Sequence, residues 1–283
     1  MNQLFNYNYT YELATNTSSY QSVSELKRLY EEPRIDKIAY FEDRSGNSNE
    51  SQNVEEHESS SSIQGIRYTE DTFEPPKFID NLETKPNYAE IGSATHFLLQ
   101  QLDFSILGEK NQTQLKEILI KTSQSLVETK HISKQLAELI NYDSVITFIQ
   151  SELGQLTIEH ADRVKKEQAF SYLTPALKLF ENNIAAENMK ELSEDQLLIH
   201  GVIDNFIEFD EDIVIYDYKT DRYKPYANMT KEKQIEQIVN KYRFQISLYS
   251  KALTIAYNKP IRQAYIVLLD FGVSIPIDTM YQL

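Results

Sequence analysis

Asp204, Asp217 and Lys219 are the residues whose types and spacing could do chemistry together in this chain. They lie in residues 197–221, LLIHGVIDNFIEFDEDIVIYDYKTD, which reads as a β-hairpin: β-branched and apolar residues over 198–209, a polar turn at 210–212, and a second arm over 213–219. Side chains alternate across a strand, so Ile213, Ile215, Asp217 and Lys219 share one face while Val214, Tyr216 and Tyr218 share the other. Asp204 sits midway along the first arm, and the turn brings it back towards Asp217. Two carboxylates and a lysine at a strand end suit a Mg²⁺ site acting on phosphate, because hard oxygen ligands hold a divalent ion that keeps positions open for water and substrate. An Asp-x-Lys pair alone is most often a solvated edge ion pair. Gly-x-Ile-Asp204 thirteen residues before Asp217, followed by a helix carrying Gln245 and Tyr249, makes the combination uncommon.

The elements that must position these residues follow from periodicity. A helix is expected over 231–257, capped by Thr230, because Ile235, Ile238, Val239, Tyr242, Gln245, Ile246, Tyr249 and Leu253 recur every three or four residues. Gln245 and Tyr249 are four apart and project side by side, and a glutamine in an apolar stripe stands out. A second helix over 90–102 has Ser93 as its expected N-cap, His96 in its first turn, and Ala94, Phe97, Leu98 and Leu102 as its stripe. A lone helical histidine is usually a packing or surface residue. Further helical patterns run from 111 to 160, with Gly154 suited to a C-cap, and strands are expected over 164–170 and 261–270.

Several of these motifs together resemble RecB-family nucleases of the PD-(D/E)XK superfamily. Gly201-Val-Ile-Asp204, Asp217-Tyr-Lys219-Thr-Asp221 and Tyr242-Arg-Phe-Gln245-Ile-Ser-Leu-Tyr249 look like its motifs. Glu90-Ile-Gly92-Ser-Ala-Thr-His96 resembles its Gly-x-x-x-His element, and Val164-Lys-Lys-Glu167-Gln-Ala-Phe170 its Glu-Gln-Pro-Phe element with alanine for proline. With Ser22-Val-Ser-Glu-Leu-Lys27 and this spacing, the chain from about residue 20 looks most like the nuclease domain of the AddA-type members of the AddAB (RexAB) helicase–nuclease family.

The resemblance implies an α/β fold with a restriction-endonuclease-like mixed sheet flanked by helices and an added helical part. It implies an exonuclease that cuts DNA strands into short oligonucleotides within double-strand-break repair and recombination. His96, Asp204 and Asp217, with the Tyr218 backbone carbonyl, would hold Mg²⁺, or Mn²⁺ as a substitute. Lys219 would orient the attacking water, and Gln245 and Tyr249 would reach the phosphate or the lysine. Glu167 is expected to support the site through hydrogen bonding or bound water and not as a direct ligand. The implied partners are DNA, helicase domains of the same parent chain and an AddB (RexB)-type subunit. A RecB-like scaffold without catalysis, kept for DNA ends or partner binding, is the second reading.

Composition narrows the chemistry. The 283 residues hold no cysteine, which excludes disulfides, thiolate zinc sites and the four-cysteine iron–sulfur cluster of some RecB-like nucleases. No Gly-x4-Gly-Lys-Ser/Thr loop is present, so these residues encode no ATP site. No apolar run approaches the roughly 18 to 20 residues that span a bilayer, and the polar N-terminus lacks a signal-peptide pattern, so no membrane partner and a cytoplasmic location are expected. A net charge of −15 is awkward for a DNA-binding protein. It fits a domain that receives DNA from a larger assembly and binds it weakly alone. Along the chain, residues 1–44 read as a linker with a short helix at 22–30, residues 45–80 as an irregular, Ser-rich acidic loop, and 81–283 as the nuclease domain. The last divides into a helical part near 93–160 and a catalytic core near 161–283.

Overall fold

The computed structural model describes residues 20–23, 86–175, 196–225 and 229–278. The chain forms two units, and every element described here belongs to the one made of Met1–Glu32 and Tyr88–Leu283. The expected helix at 22–30 beyond Val23, the Ser-rich loop, and the polar insertion at 181–195 lie outside the described residues.

A six-stranded mixed sheet organises the described residues. β1 (Tyr20–Ser22) runs parallel to the start of β3 (Gln196–Glu208), and β2 (Val164–Pro175) runs antiparallel along the whole of β3. β3 turns into β4 (Ile213–Lys219) through a tight loop in which the Phe209 N–H donates to the Asp212 carbonyl at 2.9 Å. β5 (Ile261–Leu268) lies parallel to β4, and β6 (Val273–Ile277) closes the edge antiparallel to β5. A parallel β4–β5 pair needs a crossover, and helix α6 (Lys231–Tyr257) supplies it. Thr230 caps α6 by accepting from the Lys233 N–H, and Asn258 in the left-handed region ends it.

The period-two pattern of β4 divides the core. Ile213 and Ile215 pack with α6 residues Ile246, Leu248 and Leu253 on one face. Val214, Tyr216 and Tyr218 pack on the other face with the helices α1 (Tyr88–Gln101), α2 (Gln112–Glu128), α3 (Lys134–Leu139), α4 (Tyr142–Ile149) and α5 (Glu152–Glu159). Because both faces are covered, β4 is buried along nearly its whole length, as its continuous apolar run requires. Asp217 and Lys219 share the α6 face by alternation, so Tyr242, Gln245 and Tyr249 of α6 are placed near them.

Three expectations change. Helix α1 begins at Tyr88, soon after Pro86, so Ser93 lies inside the helix and His96 in its third turn. Gly154 is not a C-cap but lies in the first turn of α5, where its N–H donates to the Ser151 cap. A Cβ at Gly154 would lie 2.0 Å from the Phe148 carbonyl oxygen, which is why α5 can start so close to the end of α4. The strand expected over 261–270 stops at Leu268, and β6 follows it.

Candidate active site

Asp204 lies where β3 leaves β4. The β3–β4 ladder ends at Asn205 opposite Tyr216, and the next donor on β4, the Tyr218 N–H, is taken by Asp204 Oδ2 at 3.0 Å. The carboxylate therefore substitutes for a ladder hydrogen bond at the point where the strands diverge. On its other side β3 meets β2, where Lys166 pairs with Asn205 and Gln168 with Ile203, but Glu167 and Asp204 do not pair. Glu167 takes φ 47° there, a left-handed conformation rare for a residue with a side chain.

Donor atoms of Glu167, Asp204 and His96 of α1 all lie within 4.8 Å of one another. His96 Nδ1 is 3.4 Å from Asp204 Oδ2. Burial lowers the His96 pKa, helped by the Lys219 charge and opposed by Asp217 and a hydrogen bond to the Tyr218 backbone, so a neutral imidazole faces the two acids. Burial raises the Asp204 pKa well above the carboxylate range, with the Asp217 charge adding to it and Lys219 and the Tyr218 N–H opposing it. Glu167 is raised too, by burial first and Asp217 second. Carboxylates held this close are short of positive charge.

Asp217 is fully buried, with Oδ2 2.5 Å from Lys219 Nζ. Its Oδ1 has no hydrogen-bond partner among the described residues. The Lys219 ammonium also lies 4.3 Å from the centre of the Tyr242 ring. Burial alone would lower the Lys219 pKa, but the charges of Asp217 and Asp204 outweigh it and hold the lysine protonated. A cleft of about 540 Å³ opens onto this arrangement, with His96, Glu167, Asp204, Lys219 and Tyr242 on its walls.

The donor set fits a hard divalent cation: two carboxylates, an imidazole and a buried carboxylate oxygen with a free lone pair beside them. Glu167 stands among the nearest donors, in place of the supporting position expected from the sequence, because its left-handed backbone sits directly across from Asp204. Asp217 falls outside the triplet, held by Lys219.

A family model for the PD-(D/E)XK nuclease superfamily matches residues 66–273. The chain belongs to the PD-(D/E)XK nuclease superfamily. The mixed sheet with helices on both faces is its fold, and nucleases of the superfamily use divalent metal ions. The chain is 38% identical over 273 residues to the AddA-type protein of the ATP-dependent helicase/nuclease of Enterococcus faecalis, covering 96% of the chain and 20% of that protein. It is 35% identical over 270 residues to the protein of the same name from Pediococcus pentosaceus, covering 95% and 19%. The one from Ligilactobacillus salivarius is 33% identical over 268 residues, covering 94% and 19%. The chain thus spans about a fifth of the length of these relatives.

Within this nuclease fold, Gln245 and Tyr249 meet each other, the Gln245 amide donating to the Tyr249 hydroxyl at 2.5 Å. Burial and then the Asp217 charge push the Tyr249 pKa up, so the hydroxyl stays protonated near the acids. Neither lines the cleft, whereas Tyr242 does. Its hydroxyl donates to Asp221 Oδ2 at 2.9 Å and its ring carries Lys219, so it links the lysine to the end of the Asp-x-Lys strand. Reading Tyr242 only as part of an apolar stripe misses this. A tyrosine one turn before Gln245, able to offer both a ring face and a hydroxyl, was the available signal.

Lys166 is the other residue that spacing did not single out. Its Nζ donates to the carbonyls of Leu99 at 3.3 Å, Gln100 at 3.1 Å and Leu102, and lies 4.3 Å from the centre of the Phe104 ring. It caps the end of the helix that carries His96 from the strand position next to Glu167. Burial lowers its pKa to about 8, with Asp103 opposing.

Proposed function

We infer that this chain is a Mg²⁺-dependent exonuclease domain that hydrolyses DNA phosphodiester bonds, with Mn²⁺ able to replace Mg²⁺. The observation that carries this reading is the convergence of His96, Glu167 and Asp204 within 4.8 Å, beside the buried Asp217–Lys219 pair, in one open cleft. His96, Asp204, Glu167 and Asp217 Oδ1 would hold the ion, and the Tyr218 carbonyl is available to it if the His96 ring gives up its hydrogen bond. When bound, the ion supplies Lewis-acid polarisation of the phosphate and favours deprotonation of the attacking water.

The protein's own groups do the rest. Lys219 stays protonated and offsets negative charge on the five-coordinate phosphorus as it develops. It also donates to the attacking water and orients it in line with the leaving oxygen. Tyr242 fixes the lysine by its ring face, and its hydroxyl anchors Asp221. Tyr249, kept protonated and bonded to Gln245, holds α6 against the Asp217 side of the site.

The relatives, named for an ATP-dependent helicase/nuclease, support placing this domain in a larger chain whose helicase domains feed it DNA, beside an AddB-type partner. Double-strand-break repair by recombination, in the cytoplasm, is the corresponding role. Among the described residues no helix is long and apolar enough to cross a membrane. Residues 81–283 form the nuclease domain in this reading, after a linker and a Ser-rich loop.

The test is digestion of labelled single-stranded DNA by the purified chain at low salt, with Mg²⁺ or Mn²⁺, beside Asp217→Ala. Degradation that requires both the ion and Asp217 is expected. Ion binding by calorimetry without degradation would mean a complete site that depends on its motor, and a chain that binds no ion would favour the silent scaffold.

A further inference from the structure

A second, shallower cleft runs on from the first across the start of α1. The two share Gly92 and Thr220 as a common wall, and the second continues to Tyr88, Arg222 and Asp270. Gly92 lets the helix approach this closely: a Cβ there would lie 2.6 Å from Thr220 Oγ1. Arg222 follows Lys219 by three residues, a span of at most ~10 Å of chain. Its guanidinium lies 4.1 Å from the centre of the Tyr88 ring, which is 70% exposed.

Charge singles Arg222 out. Lys219 is paired with Asp217, and Lys241 lies 3.6 Å from Asp221. Asp270, the acid in the second cleft, accepts from the Tyr223 N–H at 3.0 Å. Among the described residues no carboxylate pairs with Arg222, which is exposed in a protein of net charge −15. An arginine held flat on an aromatic ring keeps its fork of donors pointed outward at little conformational cost.

The geometry points to Arg222, positioned by Tyr88, as a phosphate-binding subsite for the substrate strand, one or two nucleotides away from the phosphate cut beside Lys219. The subsite rests on the nuclease reading and adds to it the direction of the strand: from the acid triplet, past the Gly92–Thr220 wall, to Arg222. In an acidic domain this one cation gives much of the strand's grip outside the reaction centre.

The full chain is titrated with a fluorescent oligothymidylate on the order of ten nucleotides long, by anisotropy, at several salt concentrations with Ca²⁺ in place of Mg²⁺. Arg222→Ala is expected to weaken binding about tenfold and to flatten the slope of log K against log salt by about 0.7, the loss of one phosphate contact on a single strand. Arg222→Lys restores the slope and only part of the affinity. Tyr88→Ala weakens binding and keeps the slope, and Tyr88→Phe behaves as the parent. In cleavage with Mg²⁺, Arg222→Ala raises KM and leaves kcat unchanged. A parent chain that cuts DNA, with Arg222→Ala binding at the same slope, overturns the subsite alone. A parent chain that neither binds nor cuts overturns the subsite together with the nuclease reading beneath it.

Discussion

Glu167 and Asp204 face each other across β2 and β3 at the single interruption of an otherwise continuous ladder, Lys166–Asn205 on one side and Gln168–Ile203 on the other. Glu167 meets the interruption with φ 47°. A strained backbone that brings a second carboxylate to the first is a local sacrifice of stability for a site.

That sacrifice can be measured. Glu167→Gly removes the steric cost of the left-handed backbone, about 1 kcal/mol, offset in part by the greater freedom of glycine in the unfolded chain. The melting temperature in EDTA should stay level or rise by a few degrees, while affinity for Mn²⁺ falls at least about tenfold. Glu167→Ala loses the same affinity without the gain in stability. A Glu167→Gly protein that melts well below the parent in EDTA would refute the strain.

How much of this could be read from the residues depends on the range of the interactions. The hairpin was legible because alternation and a polar turn are local, and β3 and β4 lie where they were expected. Helix α6 was legible to the residue because its stripe is long and Thr230 caps it. The start of α1 was not, because Ser93 offers a good cap that the helix bypasses by beginning five residues earlier. β6 was missed because VSIPI contains a proline, tolerated here since the strand lies at the sheet edge beside β5 alone. Asp204, Asp217 and Lys219 could be placed together from one hairpin. The place of Glu167 among the donors depends on a backbone angle, and that of Lys166 on a helix end more than sixty residues away, and neither leaves a local pattern.

The raised acids give a pH dependence with a definite sign. Asp204 and Glu167 hold protons more tightly when folded than when unfolded, because of burial and the Asp217 charge. Their favourable contribution is complete below their unfolded values near 4 and is lost as pH rises through the higher folded values. His96, lowered by burial, runs the other way, costing stability below its folded value and ceasing to cost it above its unfolded one. Ion binding needs both acids ionised and the imidazole neutral, so its dependence has one direction. The rise in melting temperature on adding Mn²⁺ should grow steadily from pH 5 to 8. Asp204→Asn should abolish most of that growth, and a Mn²⁺ shift equal at both ends would contradict the assignment.

Lys219 separates ion binding from cleavage. Lys219→Met keeps the stem on the Tyr242 ring but leaves Asp217 buried without its partner, a change that costs about 3 to 5 kcal/mol when nothing replaces the cation. The variant should therefore melt markedly lower in EDTA and recover much of the loss with a divalent ion, which it binds at least as tightly as the parent. Cleavage should fall by 10² or more. Calorimetry and digestion of the same preparation decide it, since weakened ion binding would place Lys219 in a supporting role for the ion.

Lys166 ties the strand of Glu167 to the helix of His96. Lys166→Met keeps the apolar stem against Phe104 but strips the Leu99, Gln100 and Leu102 carbonyls of their donor. Loss of charge-assisted hydrogen bonds to a helix end should cost about 2 kcal/mol, or a melting temperature lower by some 4 to 8 °C. Because His96 then moves relative to Glu167, the concentration of Mn²⁺ for half-maximal cleavage should rise while the rate at saturation changes little. A variant that is merely less stable would show an unchanged requirement for the ion below its melting point.

Gly92 and Thr220 give a test by rescue. The Cβ of Gly92→Ala would come within 2.6 Å of Thr220 Oγ1 but 3.7 Å from its Cβ, so the hydroxyl is the obstacle. Since α1 carries His96 and Thr220 follows Lys219, pushing the two apart opens the site between ligand and lysine, and displacement by even a fraction of an ångström is costly to a reaction that depends on alignment. Gly92→Ala should cut more slowly by roughly tenfold. Adding Thr220→Ala removes the hydroxyl and makes room for the new methyl, so the double variant should recover most of the rate although Thr220→Ala alone gains nothing. Such coupling between residues in contact is the signature of one shared contact. Additive losses in the double variant would mean that the two residues act independently, and that the close approach of α1 to the end of β4 does not set the geometry of the site.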